Sequence, residues 1–213
     1  TILNTNMRNL LIDSLTIDKY ITYNNGNLVQ IFLSKNIDNK LLDSIDINKL
    51  DNNNNFYRNL DKNNINNINL YKKINISLNN FKSYLESDDN IIDYTYLWDI
   101  ICKPNEKLFP NGINLIILDI TSYDLTDNIK IICPKQNYSY EFIDDTKKTF
   151  ILLKKNDFFE PIYSIKSEIS GDIITSLFSF TSNKNEKKFT EFKKVLNFIK
   201  DDLNTNCINK TNE

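Results

Sequence analysis

Two β-branched runs, Ile113-Asn114-Leu115-Ile116-Ile117-Leu118-Asp119-Ile120 and Thr149-Phe150-Ile151-Leu152-Leu153, constrain this chain more than any other feature. Each has strand length and is closed off by turn-forming residues, as a buried strand is. Ile129-Lys130-Ile131-Ile132-Cys133 lies between them, and Phe158 to Ile165 follows directly, joined to the second run by the two-residue hairpin signal Asn156-Asp157. Gly171-Asp172 turns into a fifth candidate strand, Ile173 to Phe180. Helical spacing flanks these runs. Ile68, Tyr71, Ile74, Leu78, Phe81 and Leu85 share one face; so do Ile92, Tyr96 and Ile100, and later Phe189, Phe192, Leu196, Ile199 and Leu203. The pattern predicts an α+β fold. Its central sheet is mostly antiparallel, of about four to five strands near 113–120, 128–133, 149–155 and 158–166, flanked by helices near 68–86, 91–102 and 186–203.

The first part of the chain is helical by the same spacing. Leu3, Met7, Leu10, Leu11 and Leu15 mark a first helix, Thr16 caps a second over Ile17 to Tyr23, and Asn24-Asn25-Gly26 stops it before a third at Asn27. From residue 36 to 67 periodicity fades, and the run Asn52-Asn53-Asn54-Asn55 offers nothing to bury. That predicts a loose, Asn-rich surface segment. With 213 residues, the length fits a single domain over 1–213. Thr1 stands where a complete chain would have Met, so we read the sequence as a fragment of a longer polypeptide.

Composition removes several chemistries. There is no histidine, so neither a Ser-His nor a Cys-His nucleophile pair can form within the chain. The three glycines, Gly26, Gly112 and Gly171, are isolated turn residues and make no phosphate loop. Cys102, Cys133 and Cys207 are far apart, odd in number and without metal-ligand spacing, which reads as a reducing compartment with no disulfide framework and no zinc. The net charge of −2 gives no electrostatic case for nucleic acid as a partner. No run reaches the roughly 18 apolar residues of a membrane span. Asn is abundant and Ala absent, a bias toward A/T-rich codons under which many surface Asn have no role.

Two constellations deserve weighing against bland accounts. Asp119 at a strand end, with Asp124, Asp127 or Glu141, is a candidate Mg²⁺ site of nuclease type; Lys130 is the one lysine read as adjoining it. Acidic turns at strand ends are commoner for solubility alone, and we assign no catalytic, cofactor-binding or metal-ligating residue. Tyr138, Tyr140 and Phe142 alternate, so in extended backbone their rings point one way and form a candidate interaction surface. A flap folded on its own sheet is the plainer account. Lys187, Lys188, Lys193, Lys194 and Lys200 on the last helix read as a solvated face.

Three phrases carry a resemblance: Ser14 to Leu28, Asp93 to Ile101, and Asn156 to Tyr163. In this order the chain resembles a domain found inside long proteins of giant nucleocytoplasmic large DNA viruses. The closing Asn204-Thr205-Asn206-Cys207 continues the likeness. The resemblance implies a non-catalytic interaction or structural domain, located in the host cytoplasm at the virus factory or in the virion. Its partners would be other domains of the parent chain and viral or host proteins, with no cofactor. A second likeness concerns the fold. The order of helices, the Asn114-to-Asp119 strand and the strand pair with Phe158-Phe159-Glu160-Pro161-Ile162 is similar to the second half of ovarian-tumour (OTU) cysteine peptidases. That family opens its last strand with the catalytic His; Phe158 stands there, a degenerate position, and nothing before Cys102 matches the nucleophile motif. Phe cannot accept a thiol proton, so the likeness implies a pseudo-peptidase scaffold. The alternatives are an OTU-like peptidase completed by groups outside this fragment, a Mg²⁺-dependent nuclease, and an accessory domain touching nucleic acid in viral transcription or replication.

Overall fold

The computed structural model describes residues 2–33, 37, 39–120, 129–134, 143–168, 171–180 and 187–207. The chain falls into two compact units, one of residues 1–100 with 106–108, the other of residues 101–105 with 109–213. Each has its own apolar core. The single domain read from length does not separate these two cores.

The first unit is helical. Its elements are α1 (Ile2–Asp13), α2 (Ile17–Tyr20), α3 (Asn27–Phe32), α4 (Asn39–Ser44), α5 (Asn55–Arg58), α6 (Ile65–Glu86) and the greater part of α7 (Tyr94–Cys102). The spine is α6. It buries Tyr71, Ile74, Leu78, Phe81 and Leu85, the face read from the sequence, against Leu11, Leu15, Ile17, Tyr20 and Leu28. This helix, expected against the sheet, thus belongs to the first unit's own core. Its C-terminus is closed by Arg8, whose guanidinium donates to the carbonyls of Leu85 (2.8 Å), Ser87 (2.8 Å) and Asn90 (3.1 Å). The Leu85 carbonyl is one of the orphan acceptors every helix leaves at its end, those of Ser87 and Asn90 lie just past it, and a planar five-donor head suits all three at once.

The Asn-rich segment is not loose. Asn54 is buried, caps α5 by accepting from the Tyr57 N–H at 2.7 Å, and donates to the Tyr71 hydroxyl at 2.8 Å. Tyr71 in turn donates to the Asp51 carbonyl. Asp18 accepts from the backbone N–H groups of Asn55 and Phe56, both at 2.9 Å, and Phe56 stacks on Tyr71. The physical reason is that an asparagine satisfies helix ends and buried hydroxyls without an apolar face, so hydrophobic periodicity cannot register it.

The second unit holds a five-stranded mixed sheet in the order β2-β1-β3-β4, with β7 also on β3. The strands are β1 (Ile113–Ile120), β2 (Ile129–Ile131), β3 (Lys148–Lys155), β4 (Phe158–Pro161) and β7 (Leu177–Ser179); β5 (Ser164–Glu168) and β6 (Gly171–Thr175) form a separate two-stranded ribbon. The fold class is therefore α+β. Most pairings are antiparallel, but the central one, β1 with β3, is parallel from Ile113↔Lys148 to Asp119↔Lys154. Helix α8 (Lys187–Asn206) lays Leu196, Ile199 and Leu203 on Ile116, Ile151, Phe178 and Phe180.

Three details fix the sheet's frame. Buried Asn114 donates to the Asp144 carbonyl (2.8 Å) and accepts from the Asp144 N–H (3.0 Å), closing the loop into β3. At Gly112, with φ of 70°, an added Cβ would stand 2.2 Å from the Cys102 carbonyl oxygen, so only glycine fits. Cys133, just after β2, is joined to Cys207, just after α8, by a disulfide with Cα atoms 5.4 Å apart. That overturns the expectation of no disulfide framework: cysteines separated by 74 residues give no spacing signal, yet the fold brings them together. Cys102 is free.

Candidate functional site

The second edge of β3 is shared by two strands in succession. Leu152 pairs with Pro161, and the Ile162 N–H donates to the Ile151 carbonyl at 2.9 Å; Phe150 then pairs with Leu177 and Thr149 with Phe178. Ile162 and Leu177 therefore occupy consecutive places along one line. Side-chain alternation is kept across the join. Ile162 packs on the core, Leu177 is outside and Phe178 is buried. Residues 163–176 are an insertion into what is otherwise one continuous edge strand.

That insertion is the β5–β6 ribbon, in register from Ser164↔Thr175 to Glu168↔Gly171. Pleating puts the cross-strand pair Ile165 and Ile174 on one face and Ile173 on the other. All three are exposed, at 57%, 64% and 49%, as is Tyr163 beside them. Every residue of β6 is exposed. Phe158 and Phe159 on neighbouring β4 add two more exposed rings. Isoleucine on both faces of a solvated two-stranded ribbon is not how a strand stabilises its own domain.

The sites expected from the sequence fare differently. Phe158 lies on β4, which pairs with β3 rather than β1, and its ring is 76% exposed. It fills no vacated catalytic space. Asp119 meets Lys154 of β3, with Nζ 3.2 Å from Oδ2, rather than Lys130, which sits exposed across the β1–β2 pair. Asp119 has a lysine directly opposite on each neighbouring strand, Lys130 on β2 as expected and Lys154 on β3, and its ion pair is with Lys154. Asp124, Asp127 and Glu141 lie outside the described residues, as do Tyr138, Tyr140 and Phe142. Among the described residues no group of three His, Cys, Asp or Glu side chains is placed to hold a metal ion. Nor is any helix there long and apolar enough to cross a membrane.

Polar chemistry in the first unit is structural. Tyr20 is fully buried, its hydroxyl 3.0 Å from the Leu28 carbonyl and 2.7 Å from Ser77 Oγ. Burial pushes its pKa up to about 12. Tyr23 rises to about 12 as well, through burial and then the nearby Asp99 carboxylate. Asp99, itself buried, accepts from the Asn24 N–H at 2.7 Å and so holds the turn in which Asn24 and Asn25 take positive φ. A cleft of about 370 Å³ beside Phe56 and Leu70 is bordered by Asp18, whose carboxylate already serves α5. In the second unit Asp144 is held below its ordinary pKa by hydrogen bonds from Thr146, an exposed turn rather than a reactive centre.

Hydrophobic pattern reading runs β4, β5 and the segment between into one strand and misses the ribbon. A signal was present: Gly171-Asp172 follows Glu168 closely, and Ser164 to Thr175 has too few apolar residues for a buried strand. No family model matches the chain, and no curated protein or solved structure matches it.

Proposed function

We propose that this chain is a non-catalytic interaction and structural domain of a large giant-virus protein, and that the β5–β6 ribbon is the surface through which it binds protein. The observation that carries the reading is the insertion of residues 163–176 into a continuous edge strand, bearing isoleucines exposed on both faces. Water-facing apolar side chains concentrated on one element are a mark of protein–protein contact. The viral setting rests on the sequence phrases given above. Of the two locations that setting allows, the Cys133–Cys207 disulfide favours the virion, because cystine persists on virion surfaces and is reduced in cytosol.

The test is a paired capture experiment from infected-cell lysate, with the wild-type chain and an Ile165→Lys/Ile174→Lys variant as baits. The reading expects viral or host proteins that are retained by the first and lost by the second. Equal recovery by both baits, or none by either, contradicts it.

A further inference from the structure

We propose that two copies of this chain pair through the outer edge of β6, antiparallel, across a two-fold axis at Ile173. This pairing rests on the interaction reading above and names one partner for it. A lone two-stranded ribbon is marginal in water, and a third strand is what such a ribbon lacks. Among the described residues β6 pairs only with β5, so its other edge is open.

That edge also carries neither lysine nor proline. Proteins guard exposed edges with lysine, proline or bulges. Here β2 carries Lys130 and β4 ends at Pro161, and β5 carries Lys166, while β6 reads Gly171-Asp172-Ile173-Ile174-Thr175. Self-pairing about Ile173 sets that isoleucine opposite its copy, Gly171 opposite Thr175 and Asp172 opposite Ile174. No like charges meet. The same operation about the midpoint of β5 sets Lys166 opposite Lys166, which is destabilising. Of the ribbon's two strands, β6 is the self-complementary one, as an isologous two-fold contact requires.

Area sets the strength. Tyr163, Ile165, Ile173, Ile174 and Leu177 are 36% to 64% exposed. At roughly 200 Å² per side chain that is on the order of 500 Å² of apolar surface per copy, against about 800 Å² for a standard interface. An upper bound below the standard size makes the dimer weak and reversible.

Two measurements test this on the whole chain. In sedimentation across the micromolar range the wild type should pass from monomer to dimer. Ile173→Lys, which sets two ammonium groups opposite each other, should weaken association at least about tenfold. Ile91→Lys, at a residue 89% exposed in the other unit, should not weaken it. Antiparallel partners stand about 4.5–5.5 Å apart at Cα, within disulfide reach, so oxidised Ile173→Cys should give a covalent dimer while Ser164→Cys on β5 should not. A wild type that stays monomeric throughout overturns the pairing. So does a dimer indifferent to Ile173→Lys, or equal cross-linking at both positions. A monomer that still captures other proteins in a ribbon-dependent way ends the self-pairing and leaves the interaction reading standing.

Discussion

The Asn-rich segment around Asn54 and the ribbon around Ile173 exchange the roles that their compositions suggest. The first is polar and is built into a core: Asn54 bonds Tyr57 and Tyr71, and Phe56 lies on Tyr71. The second carries isoleucines that stand in water on a sheet edge that is continuous without them. Burial thus follows whether a side chain's partners are present in the chain, not its hydropathy. A buried amide with every bond made costs little, whereas an isoleucine without a cover waits for one.

The largest expected effect concerns the frame that carries the ribbon. Opening the Cys133–Cys207 bridge, which spans 74 residues, should destabilise the second unit by about 4 kcal/mol on the loop-entropy account. Denaturant unfolding of Cys133→Ser, with and without reductant on the wild type, measures it; an unchanged midpoint would mean that α8 does not need its staple.

Next comes alkaline pH, which should find the first unit. Tyr20 and Tyr23 have folded pKa values raised to about 12 from 10.0. Their stabilisation is complete below pH 10 and is lost as pH rises from 10 toward 12, on the order of 2 kcal/mol for each group. A tyrosinate absorbance titration that follows the ordinary value for all tyrosines would remove this claim. Asn54→Ala should cost about 2–3 kcal/mol, because it strips a cap and leaves the Tyr71 hydroxyl short of a partner. Exposed Asn52→Ala should fall within about 0.5 kcal/mol. If the two asparagines score alike, the segment is as loose as its sequence suggests. Smallest of all, Ile165→Ser and Ile174→Ser should each change stability by less than about 0.5 kcal/mol, since neither side chain is buried.

Sequence pattern makes much of the sheet and helices legible. The runs Ile113–Ile120 and Lys148–Lys155 declare β1 and β3, and the three-four spacing from Tyr71 to Leu85 declares the buried face of α6. What it does not carry is pairing. Nothing local sets Lys154 beside Asp119 in addition to Lys130, or Cys133 beside Cys207; both follow from a parallel crossover and a terminal helix. The split between β4 and β7 is invisible for the same reason, because the register on β3 resumes only after the insertion. Phe158 shows the cost of reasoning from strand order alone. It opens a strand, as expected, but β3 stands between that strand and β1.

The central claim, that the ribbon serves binding and not folding, meets its most direct test in excision. Residues 163–176 are deleted so that Ile162 is joined to Leu177, which restores one strand along β3 with Ile162 and Phe178 still facing the core. Thermal unfolding of this variant is then compared with the wild type. A midpoint within a few degrees and intact sheet signature is the predicted result, since about 1 kcal/mol corresponds to only a few degrees at this size. A chain that fails to fold, or melts far lower, would show that the ribbon belongs to the fold's own core.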